Sequence, residues 1–196
     1  MEKEIKVGLI GFGIGGQIFH APVITTVKGL RLAKIRATKP AQVDAAKVKY
    51  PGAAIVSTSE DIFNDADIDL VVITTPNAAH FPLAKEALQA GKHVVVDKPF
   101  TINTQEADEL IAIAEKKNLM LSVYQSRRFD SDFHTLRKII KNRFLGDIVE
   151  LESRYDRFRN FLKPNAWREE DAPGTGILYD LGSHLIDQVL VLFGLY

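Results

Sequence analysis

The sequence predicts an α/β fold, a doubly wound parallel sheet followed by a second, smaller unit. Short runs rich in β-branched residues alternate with helical patterns through the first two thirds of the 196-residue chain, which is typical of βαβ units. Several of these runs are apolar at nearly every position, as in parallel strands that are buried on both faces. After Gln125 the alternation ends, which places the domain boundary at about residue 124.

Six strands are expected in the first unit, at residues 5–11, 30–36, 53–56, 68–74, 93–97 and 119–125. Four helices are expected between them, at residues 15–27, 41–48, 78–90 and 104–117. Asn103 precedes the last of these helices and Glu106 follows three residues later, which is the pattern of a capping box. Helices of this kind suit the crossovers that parallel strands require.

The second unit is expected to contain helices at residues 130–142 and 179–193 and a loop at residues 160–176. Residues 148–155 alternate apolar and polar side chains, which predicts one half-buried strand. Such a strand needs a sheet to join, and the sequence shows no second clear strand in this unit. We therefore expect the chain to stop early within a larger domain.

Composition excludes several classes of function. The 25 basic and 25 acidic side chains cancel, so no overall field favours nucleic acid or an anionic membrane. The absence of cysteine excludes disulfides, thiolate metal sites and cysteine nucleophiles. The sequence has neither a signal-peptide pattern nor an apolar run of about 20 residues. We expect a cytoplasmic protein with no nucleic-acid or membrane partner.

A glycine motif directly follows the first strand. Gly11, Gly13 and Gly16 satisfy the pattern G-x-G-x-x-G, with Phe12 and Ile14 among the intervening residues. The first glycine permits a tight turn, the second lets the backbone approach a pyrophosphate, and the third allows close packing of helix on strand. The helix N-terminus that follows attracts phosphates. Because the motif lies between a strand and a helix, we predict dinucleotide binding rather than a purely structural glycine turn.

The end of the second strand bears on the choice between NAD and NADP. NAD enzymes usually carry Asp or Glu there for the ribose 2′-hydroxyl, but residues 32–39 contain no carboxylate. Arg36, Thr38 and Lys39 instead supply cations and a hydroxyl, although Lys39 is equally well explained as a solvent-facing side chain. We predict NADP as the cofactor, with NAD as the second choice.

A polar group follows the fourth strand, at the carboxyl edge where open α/β sheets bind their ligands. It consists of Thr75, Pro76 and Asn77, with His80 soon after. The pattern favours a part in the ligand site. Asn77 is alternatively only the N-cap of the next helix, and a histidine in this setting is more often a helix-surface residue than a ligand.

Asp97, Lys98 and Pro99 end the fifth strand, again at the carboxyl edge. A lysine fixed between a buried strand and a proline has restricted freedom and little water around it. Such a lysine is suited to handling a proton or polarising a substrate oxygen. A lysine at a strand end is otherwise usually a surface residue, so the triplet is informative only together with the other motifs.

The final helix carries Asp180, His184 and Asp187 at steps of four and three residues, which puts them on one helical face. A metal site is a weak interpretation because no further ligand pair with metal spacing occurs elsewhere. We favour an acid–base histidine that is oriented by carboxylates. The alternative is a solvated helix face with no function.

Four motifs, taken in order, resemble the signatures of the Gfo/Idh/MocA oxidoreductases, a family that includes glucose–fructose oxidoreductase and inositol dehydrogenases. They are the glycine motif, Thr75-Pro76-Asn77-x-x-His80, Asp97-Lys98-Pro99, and Gly174-x-Gly176-x-x-x-Asp180-x-Gly182-x-His184. Residues 97–100 and 155–159 look closest to an NADP-dependent branch that acts on inositols. One departure is mild, since Asp97 stands where the family usually has Glu. The other is larger: family members carry a long C-terminal open sheet after the last helix. Here that sheet is almost wholly absent, so the chain is expected to be C-terminally truncated.

The resemblance implies a Rossmann-type NAD(P)-binding domain at residues 1–124, followed at residues 125–196 by the truncated start of an α+β substrate domain. It implies an NADP-dependent oxidoreductase that transfers a hydride between nicotinamide and a secondary alcohol or ketone of a cyclic polyol or sugar. Lys98 would hydrogen-bond the reacting oxygen, His184 would exchange its proton, and Asp180 would hold a neighbouring hydroxyl. No metal is expected.

The motifs and the resemblance together give two sets of binding residues. The cofactor-binding residues are Gly11, Phe12, Gly13, Ile14, Gly16, Arg36, Thr38, Thr75, Pro76, Asn77, His80, Asp97 and Lys98. The substrate-binding residues are Lys98, Arg127, Arg157, Trp167, Asp180 and His184, of which the two arginines and the tryptophan are the weaker assignments because surface arginines are commonplace.

Two other classes of function compete with this interpretation. A non-catalytic dinucleotide-binding sensor, or a truncated and inactive relic, is favoured by the missing sheet, whereas the retained Lys98 and His184 favour an enzyme. A phosphate-handling enzyme is disfavoured because no G-K-[ST] follows the glycines. We also expect a homo-oligomer, since apolar faces of the second unit have no sheet to cover them.

Overall fold

The computed structural model describes residues 4–161 and 166–194. The chain forms two compact units, Met1–Tyr124 and Gln125–Tyr196. The strands of the first unit are β1 (Ile5–Ile10), β2 (Leu30–Arg36), β3 (Ala54–Val56), β4 (Leu70–Ile73), β5 (His93–Asp97) and β6 (Leu121–Tyr124). All six expected strands are therefore present, most of them trimmed by one or two residues at their ends.

The six strands form one parallel sheet in the order β3-β2-β1-β4-β5-β6. The chain runs outward from β1 to β3, returns to the other side of β1, and runs outward again to β6. This is the doubly wound Rossmann arrangement, and the fold class predicted from the sequence is confirmed. The strand order reverses between β1 and β4, the point at which such sheets bind ligands beyond their carboxyl ends.

Helices α1 (Ala21–Thr26), α2 (Pro40–Lys49), α3 (Glu60–Phe63), α4 (His80–Gln89) and α5 (Thr104–Lys117) connect the strands. A π-helical turn, Gly15–His20, leads directly into α1, and a 3₁₀ turn, Asn77–Ala79, leads into α4. The side chain of Asn103 caps α5 by accepting the N–H of Glu106 at 2.9 Å. Glu106 accepts the N–H of Ile102 at 3.1 Å, one residue earlier than a capping box requires.

Two apolar cores cover the two faces of the sheet. Val7 and Leu9 of β1 belong to one core, while Ile10 belongs to the other. In β4, Leu70 and Val72 likewise face one core and Val71 and Ile73 the other. Because both faces are buried, neither strand alternates with polar residues, which is why these runs were recognisable in the sequence.

An ion pair ties the middle of β2 to the turn before β4. The Nζ atom of Lys34 lies 2.7 Å from Oδ2 of Asp65, and the Nζ atom of Lys92 donates to the backbone oxygens of Asp65 and Ile68 at 2.6 and 2.9 Å. The hydrogen bond from Lys34, together with the N–H of Asp67, holds the pKa of Asp65 below its usual value. The carboxylate of Asp65 therefore stabilises the folded state.

We expect Asp65→Asn to destabilise the protein at pH 7 and to have a smaller effect in acid. The folded-state pKa of Asp65 is lowered, so its contribution is complete above the unfolded value of about 3.9. The contribution is lost as the pH falls through the folded-state pKa. Urea unfolding of variant and parent at about pH 7 and pH 3 measures the difference. Asp44→Asn, which changes an exposed acid on α2, is the control, and an Asp65 effect that is equal at both pH values would contradict the prediction.

The second unit contains α6 (Ser131–Lys141) and α7 (Ser183–Phe193), which agree with the expected helices. A 3₁₀ turn, Ser126–Phe129, precedes α6, and a π-helical turn, Leu178–Gly182, leads into α7. A further 3₁₀ turn, Trp167–Glu169, lies within the expected loop. No helix within the described residues is both long enough and apolar enough to cross a membrane.

The strand predicted at residues 148–155 is wrong. These residues have no regular secondary structure, and the side chain of Val149 is 98% exposed. Alternation of apolar and polar side chains creates a face that is able to pack, but a strand also needs a neighbouring backbone for its hydrogen bonds. Within the described part of this unit, no other strand offers one. Leu151 instead lines a surface cavity together with Leu185 and Val189 of α7.

Candidate active site

The glycine loop folds tightly against the end of β4. Gly11 has φ +97°, and a β-carbon built on it would lie 2.8 Å from the backbone oxygen of Thr74. A β-carbon on Gly16 would lie 2.3 Å from the backbone oxygen of Gly11, so only glycine fits at either position. A β-carbon on Gly13 would meet no atom within 4 Å. Gly11 and Gly16 therefore shape the loop, while Gly13 presents its backbone to open space.

Phe12 and Ile14, which flank Gly13, point in different directions. The Phe12 ring is 1% exposed and packs edge-on against Tyr50, with ring centroids 5.9 Å apart. Its side chain therefore belongs to the core, and any contact that Phe12 makes with a cofactor falls to its backbone. Ile14 is 68% exposed. The Nε2 atom of Gln17 donates to the backbone oxygen of Phe12 at 2.9 Å and so braces the loop from the following turn.

The two threonines that follow β4 differ in the hydrogen bonds that their hydroxyl groups make. The hydroxyl of Thr74 donates to the backbone oxygen of Gly11 at 2.7 Å, which joins the two strand ends at the switch point. The hydroxyl oxygen of Thr75 is buried and has no hydrogen-bond partner within the described residues. A buried polar atom of this kind is rare in native proteins. Asn77 is buried and begins the 3₁₀ turn, and the N-cap position falls on Pro76.

His80 joins the loops that follow β4 and β5. Its ring is 1% exposed, which excludes the alternative of a helix-surface histidine. The Nδ1 atom lies 2.8 Å from the backbone oxygen of Pro99, and Nε2 lies 2.9 Å from that of Thr75. His80 therefore holds these two loops together, and its part in cofactor binding stays a prediction.

The end of β2 presents a cation beside a helix N-terminus. The Nε atom of Arg36 donates to the backbone oxygen of Ser57 at 3.4 Å, and the backbone oxygen of Arg36 accepts the N–H of Gly11 at 3.4 Å. Thr38 and Lys39 are exposed, and Lys39 occupies the N-cap position of α2. A guanidinium, a hydroxyl and a helix N-terminus together form an environment that suits a phosphate.

The end of β5 holds the Asp97–Lys98–Pro99 motif. The Oδ1 atom of Asp97 accepts the backbone N–H of Lys98 at 2.8 Å. The peptide bond between Lys98 and Pro99 is cis. Lys98 is half-buried.

His20 is a residue that the sequence analysis did not identify. Its side chain is 3% exposed, and its Nε2 atom lies 3.5 Å from Oδ2 of Asp97. Its ring lies against Tyr124, with centroids 4.1 Å apart. Burial, with the Asp97 charge as a second cause, raises the pKa of Tyr124. The sequence did contain one indication of this residue, a histidine one helical turn after Gly16, the last glycine of the motif.

In the second unit, Asp187 is bound by an arginine that the sequence analysis also missed. The Nε and Nη2 atoms of Arg128 contact Oδ2 and Oδ1 of Asp187 at 2.8 and 2.5 Å, a bidentate pair. The hydrogen bonds that Arg128 donates to Asp187 raise the pKa of Arg128. Asp187 therefore anchors α7 to the turn before α6.

Asp180 and His184 lie at the start of the final helical segment. The Nε atom of Arg168 contacts Oδ1 of Asp180 at 3.2 Å, and the guanidinium of Arg168 stacks over the Trp167 ring at 4.5 Å. His184 is 6% exposed and follows the π-helical turn. Within residues 4–161 and 166–194, no three His, Asp or Glu side chains are grouped so that they would hold a metal ion.

Arg127 and Arg157, the two arginines predicted to bind substrate, differ in their surroundings. Arg127 donates to Oδ2 of Asp130 at 2.8 Å, which raises the pKa of its guanidinium, and it lies over the Tyr155 ring at 5.7 Å. Arg157 is exposed. The structure thus gives Arg127 a local partner and leaves the substrate role of both arginines a prediction.

Family models match both units of the chain. A model described as the oxidoreductase family with an NAD-binding Rossmann fold matches residues 5–125. A second model, the GFO/IDH/MocA C-terminal domain, matches residues 133–196. The first match covers the glycine loop and the ends of β2, β4 and β5, where the candidate cofactor residues lie.

Individual proteins give the same result. YdgJ of Escherichia coli, an uncharacterized oxidoreductase, is 49% identical over 195 residues, covering 100% of this chain and 55% of its own. IolW of Bacillus subtilis, named scyllo-inositol 2-dehydrogenase (NADP(+)), is 41% identical, covering 97% of this chain and 52% of its own. The structure of the oxidoreductase yvaA of Bacillus subtilis gives a TM-score of 0.93 at 40% identity, covering 100% of this chain and 55% of that one. The chain spans about half the length of the curated relatives it matches.

Proposed function

The chain belongs to the Gfo/Idh/MocA family of oxidoreductases, and on that premise we propose that it binds NADP(H) for hydride transfer. The substrate is the secondary alcohol or ketone of a cyclic polyol or sugar. One observation carries the proposal: the glycine loop closes at the switch point of the sheet, with Gly13 facing open space. The name of IolW supports an NADP-dependent reaction on an inositol.

The residues of the first unit suit a dinucleotide. The backbone around Gly13 and the N-terminal turn after it accept the pyrophosphate, because amide N–H groups and the helix dipole favour anions. The buried Thr75 hydroxyl is a polar group for which the described residues offer no partner, and it lies on the adjoining loop. When bound, the nicotinamide ring accepts or supplies the hydride.

We assign NADP rather than NAD as the cofactor because of the residues at the end of β2. Arg36 and Thr38 replace the carboxylate that would repel a 2′-phosphate. The N-terminus of the ten-residue helix α2 adds a partial positive charge at the same place. This assignment goes beyond the family, whose model is described only as NAD-binding.

Three residues are proposed to act on the substrate. Lys98 donates a hydrogen bond to the reacting oxygen, and His184 takes the hydroxyl proton when the alcohol becomes a ketone. In the reverse direction His184 returns that proton. Asp180, which is held by Arg168, binds a neighbouring hydroxyl. Arg127, Arg157 and Trp167 remain the weaker substrate assignments.

Two further expectations remain predictions. A homo-oligomer is supported by the exposed apolar side chains of α7, where Ile186 is 55% and Leu190 is 41% exposed. Light scattering tests it, and a monodisperse monomer would exclude it. A cytoplasmic location is expected from the sequence alone.

The proposed function is tested by titrating the protein with NADPH and following its fluorescence. Turnover is then measured with a small panel of inositols and aldoses. We expect binding of NADPH and oxidation or reduction of at least one cyclic polyol or sugar. Absence of binding to both NADPH and NADH would exclude the dinucleotide site. Binding without any turnover across the panel would instead favour a non-catalytic sensor.

The glycine loop allows a matched pair of variants. Gly16→Ala forces a β-carbon to within 2.3 Å of the Gly11 oxygen, and overpacking of this kind costs about 1–3 kcal/mol. Gly13→Ala meets no protein atom, so we expect it to retain the parental melting temperature and to bind NADPH at least about 10-fold more weakly, a loss of about 1.4 kcal/mol. Thermal melting and fluorescence titration measure the two effects. Normal NADPH affinity in Gly13→Ala would show that this backbone does not face the cofactor.

A further inference from the structure

A ring nitrogen of His20 is buried without a hydrogen-bond partner. The side chain is 3% exposed, and within the described residues its Nε2 atom makes no hydrogen bond. Native proteins rarely leave a buried polar atom unsatisfied, so this one needs a physical explanation. The Asp97 carboxylate lies close by, with its Oδ2 atom 3.5 Å from Nε2.

This neighbour indicates which nitrogen of His20 carries hydrogen. An ionised carboxylate only accepts hydrogen bonds, so an unprotonated Nε2 would bring two lone pairs to face each other. A hydrogen on Nε2 instead makes the contact with Oδ2 attractive. Hydrogen bonds between catalytic groups are often long in the free protein and tighten in the reacting complex. The distance of 3.5 Å is consistent with such a contact.

The same carboxylate also holds the backbone of the proposed catalytic lysine. While Oδ2 of Asp97 faces His20, Oδ1 accepts the N–H of Lys98 at 2.8 Å. A β-carbon built on Gly15 would lie 3.3 Å from Oδ2, so the glycine loop closely approaches the carboxylate. Contacts at both oxygens define its orientation. The carboxylate thus links His20 to Lys98.

His20 is itself held in place by its neighbours. It is the last residue of the π-helical turn, a feature that is frequent at functional sites. The Tyr124 ring lies against the imidazole at 4.1 Å between centroids, and the Tyr124 hydroxyl donates to the backbone oxygen of Phe19 at 3.1 Å. The end of β6 therefore fixes both the ring of His20 and the backbone just before it.

We propose that His20 is a positioning residue for the oxidoreductase reaction. Its Nε2–H orients the Asp97 carboxylate, and this carboxylate holds the Lys98 backbone so that the lysine side chain meets the reacting oxygen. The proposal rests on the proposed function of Lys98. It adds to the proposed site a residue on the helical turn that follows the glycine loop.

The test uses the 196-residue chain and the backbone amide resonance of Lys98 as a reporter that needs no turnover. His20→Leu removes the donor, whereas His20→Gln retains an N–H donor in a similar position. We expect His20→Leu to shift the Lys98 amide and His20→Gln to restore most of the shift. In an Asp97→Asn background, His20→Leu should produce little further change, since coupled residues are not additive. His134→Gln, which changes an exposed histidine of α6, is the control.

Turnover provides the second readout. A displacement of about 1 Å in a catalytic group costs on the order of 100-fold in rate, so we expect His20→Leu to lower kcat by about 10-fold to 100-fold. The NADPH affinity and the melting temperature should stay close to those of the parent. Simultaneous loss of melting temperature, affinity and kcat would indicate a merely structural role and overturn the proposal.

Two other results would also overturn it. One is a Lys98 amide that does not respond to His20→Leu, and the other is an imidazole ¹⁵N spectrum of the parent with hydrogen on Nδ1 and none on Nε2. The latter measurement needs no variant and is unaffected if His20→Leu fails to fold. A parent chain that binds NADPH but turns over no substrate would count against the proposed function. The amide and imidazole spectra would still decide whether His20 is linked to Lys98.

Discussion

Lys98→Ala and His184→Ala are expected to lower kcat by about 10²–10⁴, the usual contribution of a general acid–base group, while changing NADPH affinity far less. Both side chains are proposed to act on the reacting oxygen, where charge changes during the reaction. His184 is 6% exposed, so its removal also leaves space in the fold. His184→Gln, which fills more of that space, separates the loss of proton exchange from the loss of packing.

Steady-state kinetics and NADPH titration, carried out on the same preparations, check this expectation. His134→Ala, on the exposed side of α6, is the matched histidine control and should leave kcat unchanged. If either Lys98→Ala or His184→Ala retains a near-parental kcat, the function assigned to that residue is wrong. If NADPH affinity falls as much as kcat for Lys98→Ala, the lysine serves the cofactor rather than the substrate.

Arg36→Ala is expected to weaken NADPH binding by about 10-fold to 100-fold, because a charge-assisted hydrogen bond to a phosphate contributes about 1.5–3 kcal/mol. Binding of NADH, which lacks the 2′-phosphate, should hardly change. The ratio of the two dissociation constants, measured by fluorescence titration, is therefore the informative quantity. The parent should prefer NADPH at least several-fold.

Arg31→Ala is the matched control for this experiment. Arg31 lies at the other end of β2 and pairs with Glu4 at 2.9 Å, away from the carboxyl edge of the sheet. It should change neither dissociation constant. A parent protein that binds NADH as tightly as NADPH would overturn the NADP assignment. Equal weakening of both cofactors by Arg36→Ala would instead place the arginine elsewhere on the dinucleotide.

The sheet could be predicted because its strands are buried on both faces. Continuous apolar runs such as residues 70–73 admit few other interpretations when helical patterns lie on either side. Helix α5 was found with both its ends, since Asn103 caps it and the apolar side chains recur along one face. The four-residue helix α3 was missed because it is too short to show a periodic pattern.

The strand at residues 148–155 shows what a local pattern leaves undetermined. Alternation records how one segment distributes its side chains, whereas strand formation depends on a second backbone in register with it. The described part of the second unit contains no such partner.

The residues of the candidate site also fall into those that a local sequence pattern reveals and those that it does not. The glycine loop and the motifs after β4 and β5 were found because each is contiguous in sequence. His20 was missed because its neighbours Asp97 and Tyr124 are distant in the chain, and it is the strand order that brings them together. The pairs Arg128–Asp187 and Arg168–Asp180 likewise join separate segments. Spacing rules detect residues on one helix or strand, but not pairs that only the fold creates.

The hydrogen bond from Thr74 to Gly11 has a consequence for folding during synthesis on the ribosome. On the ribosome, β1 and β2 emerge long before β4, so one edge of β1 initially has no partner. The glycine loop acquires its bond from Thr74 only once that residue has left the exit tunnel, and His20 gains Tyr124 later still. At typical synthesis rates of about 5–20 residues per second, these two events lie roughly 3–10 s apart. During that interval the growing sheet exposes the apolar edge of β4 and then that of β5, which is a hazard for aggregation. The glycine loop therefore precedes its hydrogen-bond donor in the chain and is completed only after β4 has emerged.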